Sequence, residues 1–116
     1  MYELAVHGRK TGKPHSLPVR PVERDGKRWL VAPYGEVGWV KNARAAGEAS
    51  LTRGKETETY KIRELSPKDS ALILNEYVAR ESIVRPYFDV QPDAPLDAFE
   101  VEAASHPVFL LAPKYD

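Results

Sequence analysis

The Asp25-Gly26 pair constrains the fold of this chain more than any other sequence feature. It lies between two segments with alternating apolar residues, at 16–23 and 28–32. An Asp-Gly pair in this setting is typical of a tight turn between antiparallel strands, because both residues tolerate positive φ. Pro18 and Pro21 lack the backbone N–H that a sheet ladder uses. We therefore expect the first of these strands at a sheet edge or with a bulge.

The remaining periodicity predicts an α+β chain that is mainly β. Short alternating segments indicate strands at 2–6, 49–53 and 57–65, and the apolar segment at 106–112 is typical of a central strand buried on both faces. One helix is predicted at 37–46, ended by Gly47, and another runs from the Ser66-Pro67 start signal to about residue 80. The second helix is expected to bury Ala71, Leu74, Tyr77 and Val78. Between 81 and 104 only a short helix at 82–87 and a loop at 91–95 are indicated. About six strands and two or three helices favour an antiparallel barrel or roll.

The composition limits the classes of partner. Lys plus Arg and Asp plus Glu number 17 each, so no net charge attracts nucleic acid or an acidic membrane. Cysteine is absent and the three histidines show no H-x₃-H spacing, which excludes thiolate chemistry and disfavours a structural metal site. No apolar run approaches 18 residues and no signal peptide is visible. We expect one cytoplasmic domain, 1–116, without a transmembrane segment.

Residues 7–15 (HGRKTGKPH) form the most distinctive stretch of the chain, between two predicted strands. Gly8 and Gly12 allow positive φ and expose backbone N–H groups, Thr11 adds a hydroxyl, and three cations surround them. Such a turn suits a phosphate or a carboxylate. The spacing is neither that of a Walker A loop nor that of a dinucleotide-binding glycine motif. Taken alone, these residues favour the alternative, a basic hairpin turn that is merely solvated, because short Lys/Arg-rich matches are common.

Three separated stretches resemble, in order and spacing, the deazaflavin-dependent nitroreductase and quinone reductase family. They are residues 8–14 (GRKTGKP), 30–35 (LVAPYG) and 39–45 (WVKNARA). That family is an antiparallel split β-barrel, related to FMN-binding barrels, that binds the 8-hydroxy-5-deazaflavin coenzyme F420. The resemblance implies an oxidoreductase in which the reduced coenzyme passes a hydride to a small electrophilic acceptor. Quinones, nitro compounds and enones are the acceptor classes implied.

The family's binding residues carry over to matching positions in this sequence. The resemblance implies that the turn holds the phosphate and acidic tail of the coenzyme through Arg9, Lys10, Thr11, Gly12, Lys13, Pro14 and His15. It implies that the deazaflavin ring lies along Ala32, Pro33, Tyr34 and Gly35, with Trp39, Asn42 and Arg44 beside it. Tyr77, Tyr87 and Phe88 would close the substrate side.

Several of these residues also have a structural interpretation. Trp39 and Tyr77 suit core packing, Asn42 suits a local backbone partner, and Arg44 suits a solvated position near a helix end. No catalytic side chain is expected, because hydride transfer belongs to the coenzyme. His7, His15 and His106 are expected as hydrogen-bonding surface or hinge residues.

Other functions remain open from the sequence. The second hypothesis is a non-catalytic carrier of the same fold that binds F420, FMN or haem, with FMN as the runner-up cofactor. An RNA-binding role for the basic turn is disfavoured by the neutral charge and the lack of a stacking aromatic face. Glu36 brings a negative charge near the predicted ring site. A barrel of this size is also expected to gain from pairing as a homodimer.

Overall fold

The computed structural model describes residues 1–114 and has seven strands, three α-helices and one 3₁₀ helix in that range. In chain order the strands are β1 (Tyr2–His7), β2 (Pro14–Val19), β3 (Val22–Arg24), β4 (Lys27–Val31), β5 (Glu48–Arg53), β6 (Glu56–Glu64) and β7 (Val108–Pro113). The helices are α1 (Gly38–Ala46), α2 (Pro67–Arg80), the 3₁₀ helix (Ser82–Tyr87) and α3 (Leu96–Glu102). The predicted α+β class is confirmed.

The strands form one antiparallel sheet in the order β2-β1-β5-β6-β7-β4-β3. The predicted strand at 16–23 is divided at Arg20-Pro21, and its two parts form opposite edges of the sheet. Only two residues lie between Val19 and Val22, and three Cα–Cα steps of about 3.8 Å span at most about 11 Å, so the two edges lie close together at this point. The sheet is therefore curled into a split barrel. Pro18 lies in an edge strand, as expected.

Two apolar clusters lie on opposite faces of this sheet. The first lies on the concave side and contains Leu4, Leu30 and Phe109, with Val40 of α1 against it. The second packs α2 and α3 against the other face and includes Val31. Leu30 and Val31 are neighbours in β4 that enter different clusters, because successive strand residues point to opposite faces. Each fully buried side chain of this kind contributes about 1.5–3 kcal/mol.

Local signals fix both long helices. Gly47 ends α1 with a φ of 70°, in the left-handed region that favours glycine. Ser66 caps α2 by accepting a 3.2 Å hydrogen bond from the Asp69 backbone N–H. The face predicted for α2 is buried, so this prediction is confirmed. None of the helices within residues 1–114 is long and apolar enough to cross a membrane.

Two features differ from the sequence prediction. The sheet has seven strands rather than about six, because the proline-containing strand is divided. The sequence pattern does not predict helix α3, which begins after Pro95 without a side-chain cap. Its inward residues include Phe99, which is fully buried in the second cluster. A seven-residue helix without a start signal offers too little periodicity to be read from sequence.

Candidate functional site

The turn between β1 and β2 is closed by its own backbone. The N–H of Gly8 donates to the carbonyl of Lys13 at 2.7 Å, and that of Gly12 donates to the carbonyl of Gly8 at 2.9 Å. Gly12 has a φ of 74°, which explains the glycine at that position. At Gly8 a Cβ would lie 2.8 Å from Nε2 of His15, so glycine leaves room for the imidazole.

The turn presents positive charge that is not neutralised. Lys10 and Lys13 are exposed and form no ion pair with any residue in 1–114. The hydroxyl of Thr11 accepts from the Lys13 backbone N–H at 3.3 Å. His7 Nδ1 lies 2.9 Å from the Gly12 carbonyl and must carry a hydrogen, because that oxygen only accepts. The lysine ammonium groups are thus available to an anion.

Asn42 of α1 is the residue that fixes this turn to the barrel. Its side chain is buried, with 7% of its surface exposed. Its Oδ1 accepts hydrogen bonds from the Arg9 backbone N–H at 3.1 Å and from Arg9 Nη1 at 2.7 Å. The amide therefore has a backbone and a side-chain partner, and Arg9 is held at the start of the turn.

Arg44 is engaged by carboxylates rather than by the turn. Its guanidinium donates two hydrogen bonds to Glu64, at 2.7 and 2.8 Å, and two more to Glu36. These hydrogen bonds, first those to Glu64 and then those to Glu36, raise the pKa of Arg44 above its usual value. The same contact lowers the pKa of Glu36. Arg44 thus ties the segment before α1 to β6.

A cavity of about 150 Å³ lies at the seam where the barrel does not close. Pairing of β3 with β4 ends at Trp29, so Leu30 and Val31 border an open edge opposite β2. We call this space the seam cavity. Its wall includes four of the predicted site residues, Pro33, Tyr34, Trp39 and Tyr77. Further lining comes from Leu17, Pro18, Val19, Arg20, Glu81, Ile83 and Val84, with Met1 at the rim.

Helix α1 connects the seam cavity to the basic turn. Trp39 lines the cavity and also packs against Phe109, with ring centroids 5.8 Å apart. Asn42 follows three residues later on the same side of the helix, a rise of about 4.5 Å. One short helix therefore contacts both an aromatic cavity and an unneutralised cationic turn.

Tyr77 contributes a polar atom to the seam cavity. The side chain is 7% exposed, and its hydroxyl makes no hydrogen bond with the described part of the chain, residues 1–114. Burial, with smaller contributions from Glu81 and Tyr34, raises the pKa of Tyr77 to about 12, while Arg20 acts in the opposite direction. Glu81 itself forms an ion pair with Arg20 at 3.4 Å.

The other predicted residues are divided among separate environments. The Ala32 side chain is fully buried, and its carbonyl accepts from the Gly35 N–H and from His106 Nδ1. Gly35, with a φ of 85°, lines a second cavity of about 480 Å³. Tyr87 also lines it and stacks edge-on against Tyr34, with centroids 4.7 Å apart. Phe88 is buried in the second cluster. The three aromatics predicted for the substrate side thus do not share one surface.

Two sets of residues near the site take positions that the sequence pattern does not predict. His106 is buried rather than at the surface, stacked on Phe88 at 3.9 Å and bonded to the Ala32 carbonyl. Arg20 and Glu81 meet across the seam although 61 residues separate them. Only Glu81 carried a local signal, because it lies four residues after Tyr77 on the same helical face.

A model of the family described as F420H(2)-dependent quinone reductase matches residues 2–92. No curated protein matches the chain in sequence. A solved structure described as an F420-H2 dependent reductase, FDR-A, has 21% identity and a TM-score of 0.64, over 95% of this chain and 91% of that chain. Another, described as a domain-swapped dimer, has 22% identity and a TM-score of 0.68, over 95% and 78%.

A FAD-binding protein from Mesorhizobium loti has 15% identity and a TM-score of 0.62, over 97% of this chain and 80% of that chain. At these identities the solved structures show a common fold and no more. The family match is broader evidence, because it spans the basic turn, the end of β4 and the whole of α1. The chain therefore belongs to the F420H(2)-dependent quinone reductase family.

Proposed function

We propose that this protein binds coenzyme F420 and uses its reduced form to reduce a small electrophilic acceptor, a quinone, nitro or enone compound. Helix α1 carries the proposal, because its Trp39 lines the seam cavity while its Asn42 holds Arg9 of the basic turn. A ligand with a flat ring at one end and anionic groups at the other matches both. Residues 1–116 would act as one binding domain.

The donor set of the turn fits a phosphate and an acidic tail. Lys10 and Lys13 have no carboxylate partner in residues 1–114, and Thr11 adds a hydroxyl. The expectation that Gly8 and Gly12 expose their backbone N–H groups is wrong, because both N–H groups are bonded within the turn, so the side chains supply the donors. Charge-assisted hydrogen bonds of this kind are worth about 1.5–3 kcal/mol each. Pro14 and His15 would border this group.

The apolar side of the site fits a flat ring. Pro33, Tyr34 and Trp39 provide apolar and aromatic surface at the end of β4, where Gly35 turns the chain. When bound, the reduced deazaflavin supplies the hydride. The residues of this chain would bind the coenzyme, orient the ring and keep water from the cavity.

Arg44 is assigned to the protein frame rather than to the coenzyme tail. Its Nε and both terminal nitrogens already contact Glu36 or Glu64. An anionic ligand would have to displace two carboxylates to reach it. We propose that Arg44 holds the segment around Glu36 against α1 and β6, which positions the ring site indirectly.

Turnover distinguishes an enzyme from a carrier. We expect purified protein to oxidise reduced F420 in the presence of a quinone such as menadione. The reaction is measured as the gain of the absorbance of the oxidised coenzyme. Stoichiometric binding without turnover across quinone, nitro and enone acceptors would instead support the carrier hypothesis.

For the assembly of the protein we propose a homodimer, supported by the solved structure described as a domain-swapped dimer. A clean monomer in sedimentation at micromolar concentration would contradict it.

A further inference from the structure

We infer that His106 positions the proposed ring site by holding the backbone of Ala32 in place at the end of β4. The loop that follows, residues 33–36, carries apolar surface assigned above to the coenzyme ring, and we call it the ring loop. His106 is then a positioning residue, which acts on the coenzyme through this loop. This inference rests on the proposed function, because it explains how one part of that site is held.

The segment 105–107, just before β7, contacts Ala32 and the ring loop at three points. The Ala32 N–H donates to the Pro107 carbonyl at 2.9 Å, and the Ala32 carbonyl lies 3.2 Å from His106 Nδ1. A Cβ on Gly35 would lie 3.1 Å from the carbonyl oxygen of Ser105, so the loop packs directly against this segment. Three consecutive residues thus fix the point at which the chain leaves the sheet.

The Ala32 carbonyl is fully used within the protein. It accepts from the Gly35 N–H at 3.3 Å and from His106 Nδ1, which must carry a hydrogen because a carbonyl oxygen only accepts. Two lone pairs serve two donors, so no acceptor capacity remains for a ligand. The Ala32 side chain is also fully buried. Ala32 therefore contributes to the ring site through the path that its backbone gives the ring loop.

The His106 side chain is itself held in one orientation. It is 5% exposed, and its ring stacks on Phe88 with centroids 3.9 Å apart and planes 18° from parallel. Its backbone N–H donates to the Glu102 carbonyl at 3.1 Å, at the end of α3. The imidazole cannot turn away from Ala32 without leaving this stack. The hydrogen bond to Ala32 is therefore made by a group that is already ordered.

The ring loop is then anchored at both ends. Pairing of β4 with β7 ends at Val31, so the sheet ladder does not continue into the loop. His106 holds the start of the loop through Ala32, and Arg44 holds its end through Glu36. A loop that is already fixed in its binding conformation loses less conformational entropy when the ligand binds. Loss of the His106 contact should therefore weaken coenzyme binding.

The variants His106→Asn and His106→Leu form a matched pair. Their side chains have similar volumes, and both lack the ring that stacks on Phe88. The Asn amide can donate to the Ala32 carbonyl from the place of Nδ1, whereas Leu has no donor. We expect His106→Leu to raise the dissociation constant of F420, measured by calorimetry, about fivefold, as the loss of one net hydrogen bond allows. His106→Asn should stay within about twofold of the wild type.

A role of His106 in packing alone predicts the reverse order of the two variants, because Leu suits an apolar site better than Asn. Amide hydrogen exchange, followed by NMR on the protein without coenzyme, examines the loop directly. We expect the Gly35 N–H to exchange about fivefold faster in His106→Leu than in the wild type or His106→Asn. The Gly47 N–H, which donates to the Ala43 carbonyl at the end of α1, is the control and should not change.

Three results would overturn the inference. The first needs no variant: nitrogen chemical shifts of the wild-type imidazole that show no hydrogen on His106 Nδ1. The second is equal exchange of the Gly35 N–H in the wild type and a folded His106→Leu protein. The third is an F420 affinity that falls as much in His106→Asn as in His106→Leu. Failure of the wild type to bind F420 would contradict the proposed function, while the nitrogen shifts and the exchange would still decide whether His106 holds the ring loop.

Discussion

At the scale of single residues, the cationic side chains of the site differ in whether they can bind an anionic ligand or are already paired with carboxylates of the protein. Lys10 and Lys13 are exposed without an ion pair in the described chain, whereas Arg44 is held by two carboxylates. Arg9 lies between these cases, because Asn42 holds its backbone N–H and Nη1 and leaves its other guanidinium donors available. Sequence alone treats all four residues as equivalent positive charges.

The two lysines should therefore dominate tail binding. We expect the double variant Lys10→Ala, Lys13→Ala to raise the dissociation constant of F420 at least tenfold, since each lost charge-assisted contact is worth about 1.5 kcal/mol. The matched control is Lys61→Ala, Lys68→Ala, which removes two exposed lysines outside the turn. Isothermal titration calorimetry measures both. If the two double variants bind F420 with equal affinity, the turn does not contact the coenzyme.

Asn42 should act through its acceptor oxygen. Replacing Asn42 by Ala deletes both hydrogen bonds to Arg9 and should lower the free energy of unfolding by about 1–2 kcal/mol. Replacing it by Asp keeps an oxygen that accepts from Arg9, so the loss should be smaller. Urea unfolding of the three proteins provides the comparison. An Asp variant as destabilised as the Ala variant would mean that packing, not the hydrogen bonds, fixes this position.

At the scale of elements, Arg44 joins three segments that are distant in sequence. It lies in α1, Glu64 ends β6, and Glu36 lies in the loop after β4. The loop carries Pro33, Tyr34 and Gly35 of the proposed ring site. Glu36 therefore anchors this loop to the frame, and its ionisation should contribute to the stability of the fold.

The pH dependence of stability tests this anchor. The hydrogen bond from Arg44 lowers the pKa of Glu36 in the folded protein below the usual 4.5. The contribution of Glu36 is then fully present above pH 4.5 and is lost as the pH falls through the folded pKa. We expect the Tm of the wild type to fall more steeply below pH 4.5 than that of the Glu36→Gln variant. Parallel Tm curves would contradict a stabilising role.

Local signals made several elements predictable, and long-range contacts made others unpredictable. Asp25-Gly26, Ser66-Pro67 and Gly47 each act within a few residues, and the elements they define are found at the expected places. The division of the strand at 16–23 between both sheet edges depends on the curvature of the whole sheet.

The site shows the same division between local and distant causes. The partner of Arg44 in β6 lies 20 residues away, which no spacing rule indicates. Phe88 follows Tyr87 directly but enters the core, while Tyr87 stays exposed. A run of adjacent aromatics therefore predicts an aromatic surface only when the backbone conformation of that segment is known.

At the scale of the whole molecule, the incomplete barrel creates the site. A closed sheet would pair the edge of β4 at Leu30 and Val31 with another strand. Here β3 is too short to do so, and the resulting seam opens beside α1. The concave face supplies the core, the seam supplies the cavity, and the turn between β1 and β2 supplies the cations. All three meet at α1.

In the proposed function, α1 joins a ring site to an anion site for coenzyme F420. This arrangement is tested by titrating the protein with oxidised F420 and, in parallel, with FMN, and the signal is tryptophan fluorescence because Trp39 lines the seam cavity. Both ligands have a flat ring and a phosphate, but F420 adds an acidic tail for the lysines of the turn. We predict saturable quenching by F420 at low micromolar concentration and none by FMN in that range. No response to F420, or saturation by FMN alone, would contradict F420 binding at α1.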